Sequence, residues 1–116
     1  MSEEQITSRT GRYSDTDSET IIYEITDEDG IAAALYLDPE THMVMQVETR
    51  EDRQREGLAT RLFQAADDEI GAYHAPEWAR TPEGDSWARA CGGDIMDDET
   101  AARITGTNLA DIYPTD

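Results

Sequence analysis

The sequence predicts an α+β fold, an α/β sandwich in which helices cover a mixed sheet. Three observations lead there. Between residues 20 and 49, three short runs rich in β-branched and aromatic residues are separated by turn signals, the pattern of an antiparallel meander. From residue 57 the apolar spacing changes from a strand period to a helical one. A further short apolar run and a second helical stretch follow before residue 93. Strands first, then strands alternating with helices, is the order such a fold requires.

Taken in order, residues 1–19 are polar with little periodicity and are expected to form a flexible acidic N-terminal segment. Ile21, Ile22, Tyr23 and Ile25 make the first strand. Asp27-Glu28-Asp29-Gly30 is a hairpin turn, because glycine accepts the positive φ that tight hairpins need. Residues 31–37 are the return strand. Asp38-Pro39-Glu40-Thr41 turns the chain again, with Pro39 fixing φ early in the turn. Residues 42–49 are the third strand, where Met43, Met45 and Val47 alternate with His42, Val44 and Gln46.

Leu58, Leu62, Ala65, Ala66 and Ile70, with Ala59 and Phe63 beside them, place a helix over residues 57–70 that stops at Gly71. Residues 72–75 read as a short strand closed by Pro76. Strand 42–49, helix 57–70 and strand 72–75 form a crossover unit, so those two strands are expected to run parallel. Residues 80–84 read as a loop. Asp85 or Ser86 is placed to cap a second helix over 87–91, which Gly92-Gly93 ends. Residues 94–113 fit neither period. A single domain over 20–113, with 114–116 as a tail, is the natural count for 116 residues, a length that buries a usable core without metal or disulfide support.

Composition excludes several functions. The chain carries 27 Asp plus Glu against 9 Lys plus Arg, a net charge of −18, and every basic residue is arginine. A surface so acidic does not bind nucleic acid directly, nor adsorb to an anionic membrane. No run approaches the roughly 18 apolar residues of a membrane span. Cys91 is the lone cysteine and cannot form an internal disulfide; with no basic-then-apolar leader, a reducing cytoplasm is expected. The absence of lysine fits arginine-favouring codon usage, or a carboxylate-rich surface suited to high salt. Neither requires a function.

One segment departs from the acidity. Residues 50–61 hold four arginines (Arg50, Arg53, Arg55, Arg61) and three acids, a local +1 within a chain of −18. They lie where a strand ends and a helix begins at Gly57. A helix N-terminus offers backbone N–H groups and a partial positive charge, which suits a phosphate or pyrophosphate. Gly57 and Ala59 leave room for close approach. The arginines sit near the start of the helix and Asp67, Asp68 and Glu69 near its end, against the helix dipole. Helix stability therefore does not explain them. A solvated mixed-charge loop before an ordinary helix is the alternative.

Gln54-Arg55-Glu56-Gly57-Leu58-Ala59 fits the (Gln/Arg)-x-x-Gly-x-(Gly/Ala) motif of the GNAT-type N-acetyltransferases, which carry it between their fourth strand and the helix that follows. Trp87-Ala88-Arg89-Ala90-Cys91-Gly92-Gly93 resembles that superfamily's later helix. The run from Val47 to Gly93 is similar to small acetyltransferase-like proteins of actinobacteria and their phages. The resemblance implies a minimal GNAT-like fold with acetyl-CoA as cosubstrate. The pantetheine arm would lie along Val47 to Thr49, in a cleft between strands 42–49 and 72–75. The pyrophosphate would be held at Arg55, Gly57, Leu58, Ala59 and Thr60. Arg55 and Arg61, and less directly Arg80, would add charge-assisted contacts. An amine would attack the thioester directly, with a base and an acid moving protons.

Such enzymes often place an acidic tyrosine on the later helix, where this chain has Ala88. Glu48 and His74 are the residues expected to carry proton transfer, with Tyr73 as a neighbouring acid. The partners implied are an acyl-CoA and a small or peptidic amine, which an acidic rim would attract if cationic. A non-catalytic acidic interaction or decoy protein on the same scaffold, bound to a basic protein partner, is the rival expectation. The short fold also leaves room for a homodimer. His42, His74 and Cys91 lack metal-ligand spacing, and the acidic runs at 15–19 and 27–30 do not complete a calcium loop, so no metal is expected. Trp87 is expected in the core, and Trp78 in an exposed loop.

Overall fold

The computed structural model describes residues 5–11, 19–54 and 56–108. Among these residues the secondary structure is α+β, with four strands, three helices and short 3-10 turns. Chain contacts divide it into two compact units, Met1–Ala72 and Tyr73–Asp116.

The first unit is a four-stranded antiparallel sheet in the order β1-β2-β3-β4: β1 Gln5–Gly11, β2 Thr20–Asp27, β3 Gly30–Leu37 and β4 Val44–Thr49. The expected mixed sheet is thus corrected to a purely antiparallel one. Every connection within it joins consecutive strands, and adjacent strands joined by short turns pair antiparallel. β1 falls inside the segment read as flexible. Its side chains are exposed almost throughout, so it lacks the alternation that marks a half-buried strand, yet its register with β2 runs unbroken from Gln5↔Thr26 to Gly11↔Thr20. Residues 1–4, 12–18 and 109–116 lie outside the described residues.

β2 and β3 are the central strands and are buried on both faces. Tyr23, Ile25, Leu35 and Ala33 share one face, and the 13-residue helix α1, Leu58–Ile70, packs on that side through Leu58, Leu62, Phe63 and Ala66. Burying Leu62 or Phe63 contributes about 1.5–3 kcal/mol each. On the opposite face Glu24 is buried and its carboxylate accepts two bonds from Arg9 of β1 (2.8 and 3.3 Å). The β2–β3 hairpin turns through Glu28-Asp29, and Gly30 enters β3 at φ 115°, as the turn signal implied.

The third strand of the sequence reading is shortened. Tyr36 pairs with Gln46 but Leu37 with Val44, so Met45 is the extra residue of a bulge. That irregularity turns Met45 out to solvent while Met43 stays buried, breaking the expected alternation. His42 adopts φ 65°, and its Nδ1–H donates to the carbonyls of Ile70 and Gly71 (3.1 and 3.0 Å), the open end of α1.

The second unit contains the rest. The stretch read as strand 72–75 is not a strand of the sheet. It contributes a single parallel bridge, His74↔Ile95. The expected parallel crossover is therefore corrected: residue 73 onward belongs to the second unit. Helix α2 spans Pro82–Cys91, five residues longer at its start than expected. Its cap is Thr81, whose Oγ1 accepts from the Gly84 N–H (3.0 Å), and not Asp85 or Ser86. Pro82 was read as a loop residue, but proline fits the first position of a helix, where no N–H partner is needed. Helix α3, Asp98–Thr105, lies in the stretch that fitted neither period, capped by Asp97 through the Thr100 N–H (2.9 Å). Among the described residues no helix is long and apolar enough to cross a membrane.

Candidate functional site

The site begins where β4 ends. β4 is the last strand of the sheet, paired to β3 through Val47↔Leu35 and Thr49↔Ala33, with both side chains half-buried. The Arg50 N–H closes on the Ala32 carbonyl (2.8 Å), a 3-10 turn follows at Glu51–Arg53, and α1 starts at Leu58. Gly57 is the residue before the helix. It sits at φ 78°, ψ 18°, is exposed to solvent, and a Cβ built on it would meet no atom within 4 Å. It brings no capping side chain to the first-turn N–H groups, which have no acceptor within the helix.

Of the residues expected to hold the cofactor, Gly57, Leu58, Ala59, Thr60 and Arg61 lie together at this helix start. Leu58 is buried, Ala59 and Thr60 are half-buried, and Arg61 is exposed. Arg55 lies outside the described residues.

The structure gives the neighbouring arginines a role the sequence did not show. Asp27, at the end of β2, is 5% exposed at its side chain. Its carboxylate receives both terminal nitrogens of Arg50 (2.8 and 3.2 Å) and one from Arg53. Arg50 also bonds Asp52 (2.6 Å), and Arg53 bonds Glu56 (2.8 Å). The Arg50 guanidinium holds the Asp27 carboxyl well below the usual carboxylate range, with the Asp29 N–H and Arg53 adding to it. Arg50 and Arg53 therefore tie the loop before α1 to the β2–β3 turn. Part of the local +1 is thus a clamp. Asp27-Glu28-Asp29-Gly30 reads as a turn from sequence, and no sequence spacing links it to residues 50–53.

The acids at the far end of α1 also have partners. Glu69 accepts from the Tyr23 hydroxyl (2.9 Å), and Asp67 from the Ala72 N–H (3.1 Å). Burial, then the Glu69 contact, push the Tyr23 hydroxyl up to about 12. These contacts, and not the helix dipole, account for carboxylates at a helix C-terminus.

The two proton-transfer candidates fall in different units. Glu48 is exposed on β4, opposite Ala34. Its charge, together with that of Glu24, adds to burial in raising the Tyr36 hydroxyl. His74 is 2% exposed. Its Nε2–H donates to the Gly92 carbonyl at 2.7 Å, and its ring packs edge-on against Trp87 at 5.0 Å. Burial pushes its pKa down, with a smaller contribution from Arg80. A buried imidazole bonded to a carbonyl anchors the end of α2 and does not suit the proton carrier expected from sequence. Tyr73 beside it is exposed. Ala88 is buried on α2. Trp87 is half-buried; Trp78 is half-buried too, and its indole N–H donates to Asp98 (2.9 Å). Among the described residues no group of three His, Cys, Asp or Glu side chains gathers as a metal site.

Compared with known families, curated proteins and solved structures, the chain matches none. The acetyltransferase likeness therefore rests on the motif and its setting.

Proposed function

We propose that this chain is a minimal N-acetyltransferase that binds acetyl-CoA at the first turn of α1. One observation carries the reading. The motif glycine, Gly57, is left-handed, exposed and open, and is the residue before the helix that follows the fourth strand of the sheet. The sequence alone showed three strands before this point; β1 makes β4 the fourth. The cosubstrate's pyrophosphate takes the first-turn N–H groups, and its pantetheine arm takes the backbone at the outer edge of β4 around Val47 and Thr49. With Arg50 and Arg53 clamped on Asp27, the backbone N–H groups carry most of the anion's binding, and Arg61 stands one turn into the helix.

The acceptor is an amine, favoured when cationic by the chain's −18 charge. Its nitrogen bonds the acyl carbon, the C–S bond breaks, and the thiolate leaves. Glu48 is the carboxylate proposed to take the amine proton. The reaction belongs in a reducing cytoplasm, which suits a chain with one cysteine. Incubation with acetyl-CoA and a panel of polyamines, aminoglycoside-like amines and basic peptides tests this by thiol release.

A second reading has its own support. The Nε2–H of the buried His74 is held by the Gly92 carbonyl, and Ala88 stands where the resembled family often has a tyrosine. On that reading the chain binds the cofactor without turnover, or acts as an acidic decoy for a basic protein. Acetyl-CoA binding without thiol release identifies the sensor, and absence of binding identifies the decoy.

A further inference from the structure

We propose that β1 pairs antiparallel with β1 of a second copy of this chain, across a two-fold axis at Ser8, joining two sheets into one. This goes beyond the acetyl-CoA reading and does not depend on it. β1 is an outer strand of the sheet and pairs with β2 alone. The register fixes which of its backbone groups face outward. Asp27 and Gly30 flank a two-residue hairpin and bond each other across it. The extra residue of the irregularity that follows, Ala32, belongs to β3, so β2 keeps a regular alternation. Ile25, Tyr23 and Ile21 therefore turn their N–H and C=O groups to β3, and Thr26, Glu24 and Ile22 turn theirs to β1. Gln5, Thr7 and Arg9, paired with the latter three, bond inward. The N–H and C=O groups of Ile6, Ser8 and Thr10 face outward, with no partner among the described residues.

The two edges of the sheet differ. β4 carries features that block strand addition, namely the Met45 bulge and the exposed Glu48. β1 carries none of them. Its register is unbroken, it holds no proline, lysine or acid, and its one charge, Arg9, is engaged by Glu24. In a chain of −18, this exposed, acid-free strand is a seam where a second copy meets no carboxylate against carboxylate. A basic strand from another protein finds no open carboxylate there, because Glu24 is buried and bonded to Arg9. A second copy fits because the strand complements itself. Centred on Ser8, the outward groups of Ser8 meet Ser8 of the partner subunit, and those of Ile6 meet Thr10 of the partner subunit, in both directions. The outward groups of all three residues are then paired. Ile6, 40% exposed, gains a neighbour on its own face of the joined sheet.

Sedimentation of the full chain, from micromolar to near-millimolar concentration and at low and high salt, tests this. A seam of one strand pair makes a weak dimer, so a monomer–dimer equilibrium is expected. It should tighten with salt, which screens the repulsion between two chains of −18. In a half isotope-labelled mixture, NMR should show the Hα of Thr7 against the Hα of Arg9 of the partner subunit, a non-bonded pair of this register. Ser8→Pro removes an outward N–H and no bond to β2, so the fold stays, and the dimer should weaken by about tenfold or more. Ile6→Glu places an acid on the seam and should weaken it too, so the test survives a misfolded proline variant. A monomer under every condition, a dimer loosened by salt, absence of the Thr7–Arg9 contact, or unchanged dimerisation in a folded Ser8→Pro or Ile6→Glu protein would each overturn the proposal.

Discussion

Replacing Gly57 by Asp and, separately, by Asn separates fold from ligand at the proposed phosphate site. The geometry sets the stability cost. At φ 78° any L-residue is strained by about 1–2 kcal/mol, least for Asn and Asp, and a Cβ meets nothing within 4 Å, so no clash is added. A carboxylate at the start of α1 recovers about 0.3–1 kcal/mol from the helix dipole. Both variants should therefore stay folded, within about 1–2 kcal/mol of the parent and a few degrees in Tm. Asp and Asn are nearly isosteric and differ by one charge. If a phosphate docks on the first-turn N–H groups, Gly57→Asp abolishes acetyl-CoA binding while Gly57→Asn only weakens it. Calorimetry with acetyl-CoA reads the difference, and circular dichroism checks the fold. Equal binding by the two variants refutes the helix-start site.

Other outcomes follow from the packing and ion pairs. Leu62→Ala removes a fully buried side chain between α1 and the sheet and should cost about 2–5 kcal/mol in urea unfolding. His74 has a folded pKa below its unfolded value, so the unfolded chain takes up the proton first; stability should fall as pH drops below about 6.5 and level off beneath the folded pKa. His74→Gln keeps a donor for the Gly92 carbonyl and should remove that slope; persistence of the slope in the variant would contradict the assignment. Asp27 has a depressed pKa, so its contribution is present above about pH 4 and lost as pH falls towards the folded pKa. Asp27→Asn should flatten acid unfolding and, by freeing Arg50 and Arg53, speed amide exchange across residues 50–54.

Some features were legible in residue pattern and others were not. The hairpin at 27–30, the helix over 58–70 and its stop at Gly71 each carry a local signal, namely a turn glycine, an apolar period and a C-terminal glycine. β1 carries none, because an exposed edge strand needs no apolar alternation and is stabilised by its ladder to β2 and by Arg9 on Glu24. The bulge at Met45 is likewise invisible, since the mismatch lies in the pairing of β4 with β3. At the candidate site the motif glycine was readable. The Asp27 clamp was not, because it joins residues 23 and 26 positions apart. His74 read as a titratable strand-end residue; only its contact with Gly92 reveals an anchor.

Acetyl-CoA titrated into the protein by calorimetry, at low and at high salt, tests the central claim most directly. Saturable binding at both, with about 2.7 kcal/mol of added apparent stability at 100 times Kd, is the expected result. No heat of binding and no thermal shift under either condition contradicts it.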